Sequence, residues 1–392
     1  MIAQIGAGEI AGVEPDHLAT MLSYVGEGVT AVRCDRTRGT VTVEFDGTSD
    51  EWRDLVQRLR SRLHAPAVRP SGPIYAHRSA RRPAATKVWD ALVRSGTVRD
   101  FGGGHVAFRG LFLELLERLD DELRRVAAET GAEPVDLPNM LPLHVAKRSG
   151  VFDHHPHDLF FTAPLVADVR RIEAFQREAA SGEAPAAEAL SNLEYCLKTS
   201  ACAPLYPLLA GMDLANPGCY TTIGACARRE TAPAAAFERL TEFRMREIVF
   251  VGDAAGARAF EAFSLELFTD IIESFDLVAE VGPATDSFFV SGYSRYRFAQ
   301  LVGTDKSEAR VFLPDADAYT AFASFNHHRR FFAQRYEITC GGQPAVSACT
   351  GVGLERLVFG ILSHCGVDQM AAVRGFDRLR RRRSVRRQKT GS

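Results

Sequence analysis

The sequence predicts an α+β protein: an antiparallel sheet flanked by helices, with a small α+β appendage ahead of it. Three observations carry that prediction. Many strand-like runs follow one another from 219 to 338 with few short crossovers, which favours antiparallel pairing. Two strongly helical patterns, at 107–130 and 255–275, accompany them. A hairpin-and-helix pattern at the N-terminus is set off by a Pro/Gly-rich stretch.

The appendage comes first in the chain. VTAVRCDRTRGTVTVEF (29–45) alternates apolar and polar residues around a Gly-containing turn, the pattern of a β-hairpin. Ser49 is placed to cap a following helix, SDEWRDLVQRLRSRL, in which Trp52, Leu55, Leu59 and Leu63 share one face. APAVRPSGP (65–73) then breaks regular structure, so the units are set at 1–70, 71–373 and a tail, 374–392. Residues 107–130 place Leu111, Leu115, Leu119, Leu123 and Val126 on one stripe of an amphipathic helix. The small, polar stretch 179–190 reads as an exposed loop or short helix. Strands are expected at CYTTIGACA (219–227), FRMREIVFVG (243–252), DSFFVSG (286–292), ARVFLP (309–314) and QRYEI (334–338), interrupted by the helix 255–275.

Composition excludes several classes. The 392 residues are 46% hydrophobic and 24% charged, an ordinary globular balance with ample length for a deep core. No apolar run approaches the roughly 18 residues of a membrane-spanning helix, and MIAQIGAGEIAG has neither the basic start nor the apolar core of a signal peptide. A cytoplasmic protein is expected. The formal charge of −2 is uneven: 374–392 carries nine basic residues against Asp377, leaving about −10 elsewhere. That tail reads as a basic, disordered terminus, with contact to an acidic partner or nucleic acid as the alternative. The eight cysteines (34, 196, 202, 219, 226, 340, 349, 365) include no CxxC pair, so free thiols or a metal site assembled from distant segments are expected.

Two motifs carry little chemistry. Gly102–Gly104 is a turn with no GK[ST] and no strand–GxGxxG–helix context, so a P-loop or dinucleotide fold is unsupported. His154, His155 and His157 in FDHHPHD are interrupted by Pro156 and fit no helical or zinc-motif spacing, so they read as surface or sheet-edge histidines. The C-terminal third is more specific. In SACTGVGLERLVFGIL (347–362) a glycine-rich strand end leads into a helix with Glu355 and Arg356, a junction where phosphate can approach closely; a capped helix with a solvated ion pair is the alternative. In ACARRE (225–230), Arg228 and Glu230 lie two apart and so share one strand face.

Together these segments resemble motifs 2 and 3 of class II aminoacyl-tRNA synthetases, and KRSGVFDHHPHDLFF (147–161) resembles motif 1, the dimer element, with Pro156 as its proline. The resemblance implies that Arg228 binds the α-phosphate of ATP, Glu230 the adenine amino group, Phe243 the adenine face and Arg356 the γ-phosphate. EYCLKTSACAPLYPLLAG (194–211), FRMREIVFVG, SFNHH (324–328) and SACTGVGLER are similar to the amino acid:[carrier protein] ligases, relatives of the zinc-dependent seryl-tRNA synthetases of methanogens. The similarity spans roughly 95–370, in the right order. It implies a catalytic-site Zn2+ held by Cys202, Glu247 and Cys349. Two thiolates and one carboxylate leave a fourth tetrahedral position for an α-amino group. Asn326 is a candidate for positioning the substrate or a metal-bound phosphate, Asp317 for a Mg2+ ligand and Asp286 for an acidic substrate contact; each has a structural alternative. Cys196, Cys226 and Cys340 read as core thiols.

The resemblance therefore implies a homodimeric, AMP-forming ligase. It would activate a small amino acid with ATP and pass it to the phosphopantetheine thiol of a holo-carrier protein, by electrostatic stabilisation from Arg228, Arg356, Mg2+ and zinc rather than by a side-chain nucleophile. Carrier docking is plausible on the helix 255–275, with ordinary sheet packing as the alternative. YSRYRFAQ (293–300) departs from the ligase pattern, as do the appendage and the Arg-rich tail. The alternatives are an atypical seryl-tRNA synthetase and a synthetase-like protein that binds without catalysis. The first 70 residues show no long heptad hairpin or large basic module, so tRNA is not the expected acceptor. Retention of the arginines and the triad argues against the non-catalytic alternative.

Overall fold

The strand-like runs of the C-terminal two thirds pair into one large sheet in the computed structural model, which describes residues 1–6, 18–19, 21–22, 28–35, 37–62, 72–79, 87–181, 189–229, 240–284, 305–367 and 369–390. Its strands are β4 (Tyr75–His77), β5 (Glu133–Pro134), β6 (Gly218–Ala227), β7 (Glu242–Gly252), β8 (Ala279–Pro283), β9 (Lys306–Leu313), β10 (Ala318–Arg329) and β11 (Val346–Gly353). Among the described residues the order is β4-β8-β9-β10-β11-β7-β6-β5. Neighbours are antiparallel except β6 and β5 at one edge. Ahead of this sheet, β1 (Ile2–Gly6), β2 (Val29–Asp35) and β3 (Thr40–Phe45) form a three-stranded sheet in the order β1-β3-β2. The helix α1 (Ser49–Arg62) follows, and its Trp52 packs on Phe45 with ring centroids 5.5 Å apart. The cap is one residue earlier than expected: the Thr48 hydroxyl accepts the Glu51 N–H while the Glu51 carboxylate accepts the Thr48 N–H, a capping box.

Alternation along the strands divides the large sheet into two faces. Ile248, Phe250, Val311, Phe325, Ala348 and Val352 pack on helices α2 (Leu111–Glu129), α3 (Ala254–Phe275) and α4 (Leu354–Cys365). The stripe expected on α2 is present, with Leu115, Leu119, Leu123 and Val126 buried and Phe112 joining them. Each fully buried side chain of this size stabilises by about 1.5–3 kcal/mol. The Asp253 carboxylate caps α3 by accepting the Gly256 N–H at 2.7 Å. On the opposite face, Val249, Val251 and Cys349 lie under Leu205, Tyr206, Tyr336 and Ile338, and here the functional site forms.

Three expectations need comment. QRYEI is not a strand. Phe331–Tyr336 is a helical turn closed by Glu337 at φ +56°, because stacking of Phe332 on Tyr206 (3.8 Å) and burial of Ala333 and Tyr336 select helical spacing. The 374–392 stretch is not disordered as far as Thr390: it belongs to α5 (Gln369–Thr390). Its arginines pair with acids on the helices beneath: Arg380 with Glu122, Arg382 with Glu273, Arg383 with Glu129 and Asp270, and Arg386 with Asp270. The helix expected at 255–275 is packed on the sheet on one side and clasped by α5 on another. DSFFVSG and Asp286 lie outside the described residues, as do YSRYRFAQ and Glu230. No helix among the described residues is long and apolar enough to cross a membrane.

A buried histidine makes the fold sensitive to acid. On α4, His364 Nδ1 donates to the Gly360 carbonyl at 2.8 Å, and Nε2 accepts the Val278 N–H at 3.1 Å, so only the neutral ring satisfies both. Burial pushes its pKa below the ordinary 6.5. The folded state thus binds fewer protons than the unfolded chain, and stability present above pH 6.5 is lost as the pH falls through it. The urea midpoint should drop between pH 7.5 and 5.5. His364→Gln should shrink that drop, and an unchanged drop in the variant would contradict the assignment.

Candidate active site

The site is built on the sheet face turned away from α2, α3 and α4. Register places Cys226 opposite Phe243, Gly224 opposite Met245, Glu247 opposite Gly351, Gly351 opposite Ser324 and Cys349 opposite Asn326. A floor of glycines is therefore bordered by Phe243 at one end and by Glu247, Cys349 and Asn326 at the other. The glycines leave room for the ends of two long side chains: a Cβ on Gly351 would lie 2.7 Å from Met245 Cε, and one on Gly224 would overlap the end of Lys198, so either side chain would have to shift.

Cys202 reaches this floor from the segment after the strand Tyr195–Leu197. One donor atom from each of Cys202, Glu247 and Cys349 lies within 4.8 Å of the others, and all three residues are buried. The Ala201 N–H donates to Glu247 Oε1 at 2.8 Å. Glu247 Oε2 is buried without a hydrogen-bond partner. A desolvated carboxylate oxygen is costly unless something positive meets it. Burial, and then the Cys349 charge, push Glu247 up to about 7. The neighbouring Cys349 sulfur, with burial, raises Cys202 well above the ordinary thiol value. The Cys202 thiol beside it, with donors from His328 and Asn326, holds Cys349 well below that value against the effect of burial. A soft–hard donor set with an orphaned oxygen fits a borderline cation with one tetrahedral position left over.

Cys349 is supported from behind. Its sulfur lies 3.5 Å from His328 Nε2 and 3.8 Å from Asn326 Nδ2. His328 Nδ1 in turn lies 3.0 Å from the Tyr206 hydroxyl and 3.2 Å from the Ser347 hydroxyl, and in the tautomer that aims Nε2–H at the sulfur, Nδ1 is the acceptor on that side. A bulge in β10 between His327 and Arg329, with Arg329 at φ +53°, redirects the chain at His328. Beneath Gly224, Lys198 is buried and its ammonium donates to the Leu137 carbonyl at 3.3 Å; burial lowers its pKa.

At the other end, the Arg228 guanidinium carbon stands 5.3 Å from the Phe243 ring centroid, and Nε donates to the Thr199 carbonyl at 2.9 Å. The Arg228 N–H donates to the Thr241 carbonyl. Arg356 opens α4 and donates to the Ala321 carbonyl at 2.7 Å. Glu355 is not a solvated partner of Arg356: it is buried, and its carboxylate accepts both the Arg244 backbone N–H and Nε at 2.8 Å, locking the start of α4 to β7. Asp317 is not brought to the triad. It sits exposed in the β9–β10 turn at φ +48°, nine residues from Asn326 and so roughly 30 Å along the strand. The sequence reading passed over His328, although its two-residue spacing from Asn326 was the available signal. It also passed over Tyr206 and Lys198, whose roles depend on contacts across strands.

No family model matches the chain. Among curated proteins it is 30% identical over 259 residues to amino acid–[acyl-carrier-protein] ligase 2 of Bradyrhizobium diazoefficiens, covering 64% of this chain and 76% of that protein. It is 29% identical over 272 residues to ligase 1 of the same organism, covering 68% and 82%. A type-2 serine–tRNA ligase of Methanothermobacter thermautotrophicus is 22% identical over 291 residues, 71% of this chain and 57% of that one. Among solved structures, M. kandleri SerRS, in complex with A. aeolicus tRNASec, superposes with a TM-score of 0.66 at 22% identity, covering 93% of this chain and 74% of that one. A cytoplasmic serine–tRNA ligase of Naegleria fowleri superposes with a TM-score of 0.57 at 13% identity, over 80% and 75%. The structural matches establish the class II aminoacyl-tRNA synthetase fold, and the sequence matches establish the family: the chain belongs to the amino acid–[acyl-carrier-protein] ligases.

Proposed function

We propose that this protein activates a small amino acid with ATP as an aminoacyl-adenylate and transfers it to the phosphopantetheine thiol of a holo-carrier protein. The observation that supports this most strongly is the buried Cys202–Glu247–Cys349 triad, with its orphaned carboxylate oxygen, on the same sheet face as the Arg228–Phe243 pair. Family membership supports the ligase chemistry and the carrier protein as acceptor.

In this reading Cys202, Glu247 and Cys349 hold Zn2+, which when bound supplies a Lewis-acid site for the amino group of the substrate. Asn326 and His328 keep Cys349 as an acceptor, and Asn326 borders the position where the amino acid lies. The glycine floor lets the substrate approach the sheet. Adenine stacks on Phe243 with Glu230 at its amino group; Arg228 neutralises the α-phosphate and Arg356 the γ-phosphate, with Mg2+ accompanying ATP. An oxygen of the amino acid carboxylate attacks the α-phosphorus, and the bond to the bridging oxygen breaks, releasing pyrophosphate. The carrier thiol, giving up its proton, then attacks the carbonyl carbon; the C–O bond to AMP breaks and AMP leaves with the electron pair. Positioning and charge neutralisation supply the acceleration. The working unit in this proposal is a homodimer in the cytoplasm. Similarity to type-2 serine–tRNA ligases keeps tRNA as the second possible acceptor.

The first experiment is amino-acid-dependent ATP–pyrophosphate exchange on purified, metal-quantified protein. Exchange with one or more small amino acids, in the presence of at least one zinc per chain, is the expected result; no exchange with any amino acid on the zinc-loaded protein would overturn the reading. The support behind Cys349 has its own prediction. His328→Phe should weaken zinc binding about 10–100-fold in competition with a chelator, the usual range for a residue that orients a ligand. His328→Gln, which retains an N–H donor, should recover part of the loss, whereas equal affinities in all three proteins would exclude a role for His328.

A further inference from the structure

We infer that His155, His157 and Asp158 form a second cation site, separate from the cysteine triad, that takes a divalent transition metal. The short helical turn Pro156–Asp158 brings His155, His157 and Asp158 into one cluster, with a donor atom of each within 4.8 Å of the others. Asp158 Oδ1 stands 3.5 Å from His157 Nε2, and Oδ2 stands 3.8 Å from His155 Nδ1. Both separations are within the range of a histidine–carboxylate ion pair when the ring is protonated. They approach the roughly 3.3 Å edge of a tetrahedron whose metal bonds are about 2.0–2.1 Å long. The His157 side chain is 9% exposed and those of Asp158 and His155 23% and 30%, so the cluster is sheltered but open on one side.

Two imidazoles and one carboxylate select zinc, cobalt, nickel or copper over magnesium and calcium, which prefer all-oxygen shells. The absence of sulfur separates this site from the triad chemically. Its position gives it a consequence. The Asp158 carbonyl accepts the Arg229 N–H at 3.0 Å, so a cation that fixes this turn also fixes the backbone next to Arg228.

Cobalt titration of the chelated, reduced full-length protein tests the inference, because cobalt bound by thiolate shows a sulfur-to-metal charge-transfer band and cobalt bound by nitrogen and oxygen does not. Wild type should bind two equivalents, only one of them with the band. Asp158→Ala and His155→Ala should each bind one equivalent and keep the band. The double variant Cys202→Ser/Cys349→Ser should bind one equivalent and lack it. A single equivalent in wild type that carries the band, or two equivalents retained in both Asp158→Ala and His155→Ala, would overturn the inference. If the turn variants fail to fold, the wild-type stoichiometry and the cysteine double variant still decide. Loss of the charge-transfer band in wild type would count against the triad and leave the histidine site standing, so the two readings fail separately.

Discussion

Cys349→Ser should be purified without zinc in the triad and should lose amino-acid-dependent pyrophosphate exchange by on the order of 10^3-fold, since Lewis-acid orientation contributes several kcal/mol and each 1.36 kcal/mol is tenfold. The expectation rests on what serine cannot do at this position. Its hydroxyl does not ionise near neutrality, so the donor set falls to one thiol and one carboxylate that burial already pushes up to about 7. Asn326 and His328, which face a sulfur at 3.8 and 3.5 Å, would then face a neutral hydroxyl. Glu247 Oε2, buried without a protein partner, would lose the cation that this account gives it. Cys226→Ser is the control. Cys226 is also buried, with its thiol pushed up to about 12 mainly by burial, and its S–H faces the Gly224 carbonyl rather than the triad. That variant should keep its zinc and its exchange activity. Measuring metal content and exchange on both variants decides the matter: loss in both, or in neither, contradicts the special position of Cys349.

The second large effect is on stability and lies in α5. Arg383→Met should destabilise the protein by about 3–5 kcal/mol, the usual result of leaving a buried charge without its partner. Arg383 is 6% exposed; its Nε stands 3.0 Å from Glu129 Oε2, and its NH1 3.2 Å from Asp270 Oδ2. Asp270 is fully buried on α3, and Glu129 ends α2, so this one guanidinium joins three helices. It also lies over the Phe263 ring at 5.0 Å. Arg386 would remain on Asp270 at 3.0 Å, but Glu129 would keep only the 3.8 Å contact from Arg387. Arg381→Met, on the exposed side of α5, should change stability by less than about 0.5 kcal/mol. Equal denaturant midpoints for the two variants would show that α5 is not held by its buried ion pairs.

These two sites show what the sequence made legible and what it hid. Cys202, Glu247 and Cys349 were assembled from an ordered set of motifs, and the structure brings them together although they are far apart in the chain. The strands β6, β7 and β11 were readable because each is a long apolar or alternating run bounded by turn residues. α5 was not, because its apolar stripe is short: Ala372, Phe376 and Leu379 are buried in the main core, and beyond them the helix is held by arginines meeting acids on α2 and α3, partners of which local composition contains no trace. QRYEI has strand propensity, but stacking on Tyr206 overrides it. His328 escaped notice because the bulge that redirects β10 beside it is a property of strand pairing, not of five consecutive residues.

The most direct test of the account is a transfer experiment. Zinc-loaded protein is incubated with ATP and a radiolabelled amino acid that supports exchange, and then offered a holo-carrier protein and tRNA in the same tube. The account predicts label on the carrier, released by hydroxylamine as expected of a thioester and absent when the carrier lacks phosphopantetheine. Label confined to tRNA, or adenylate formed and never transferred to the carrier, would contradict it.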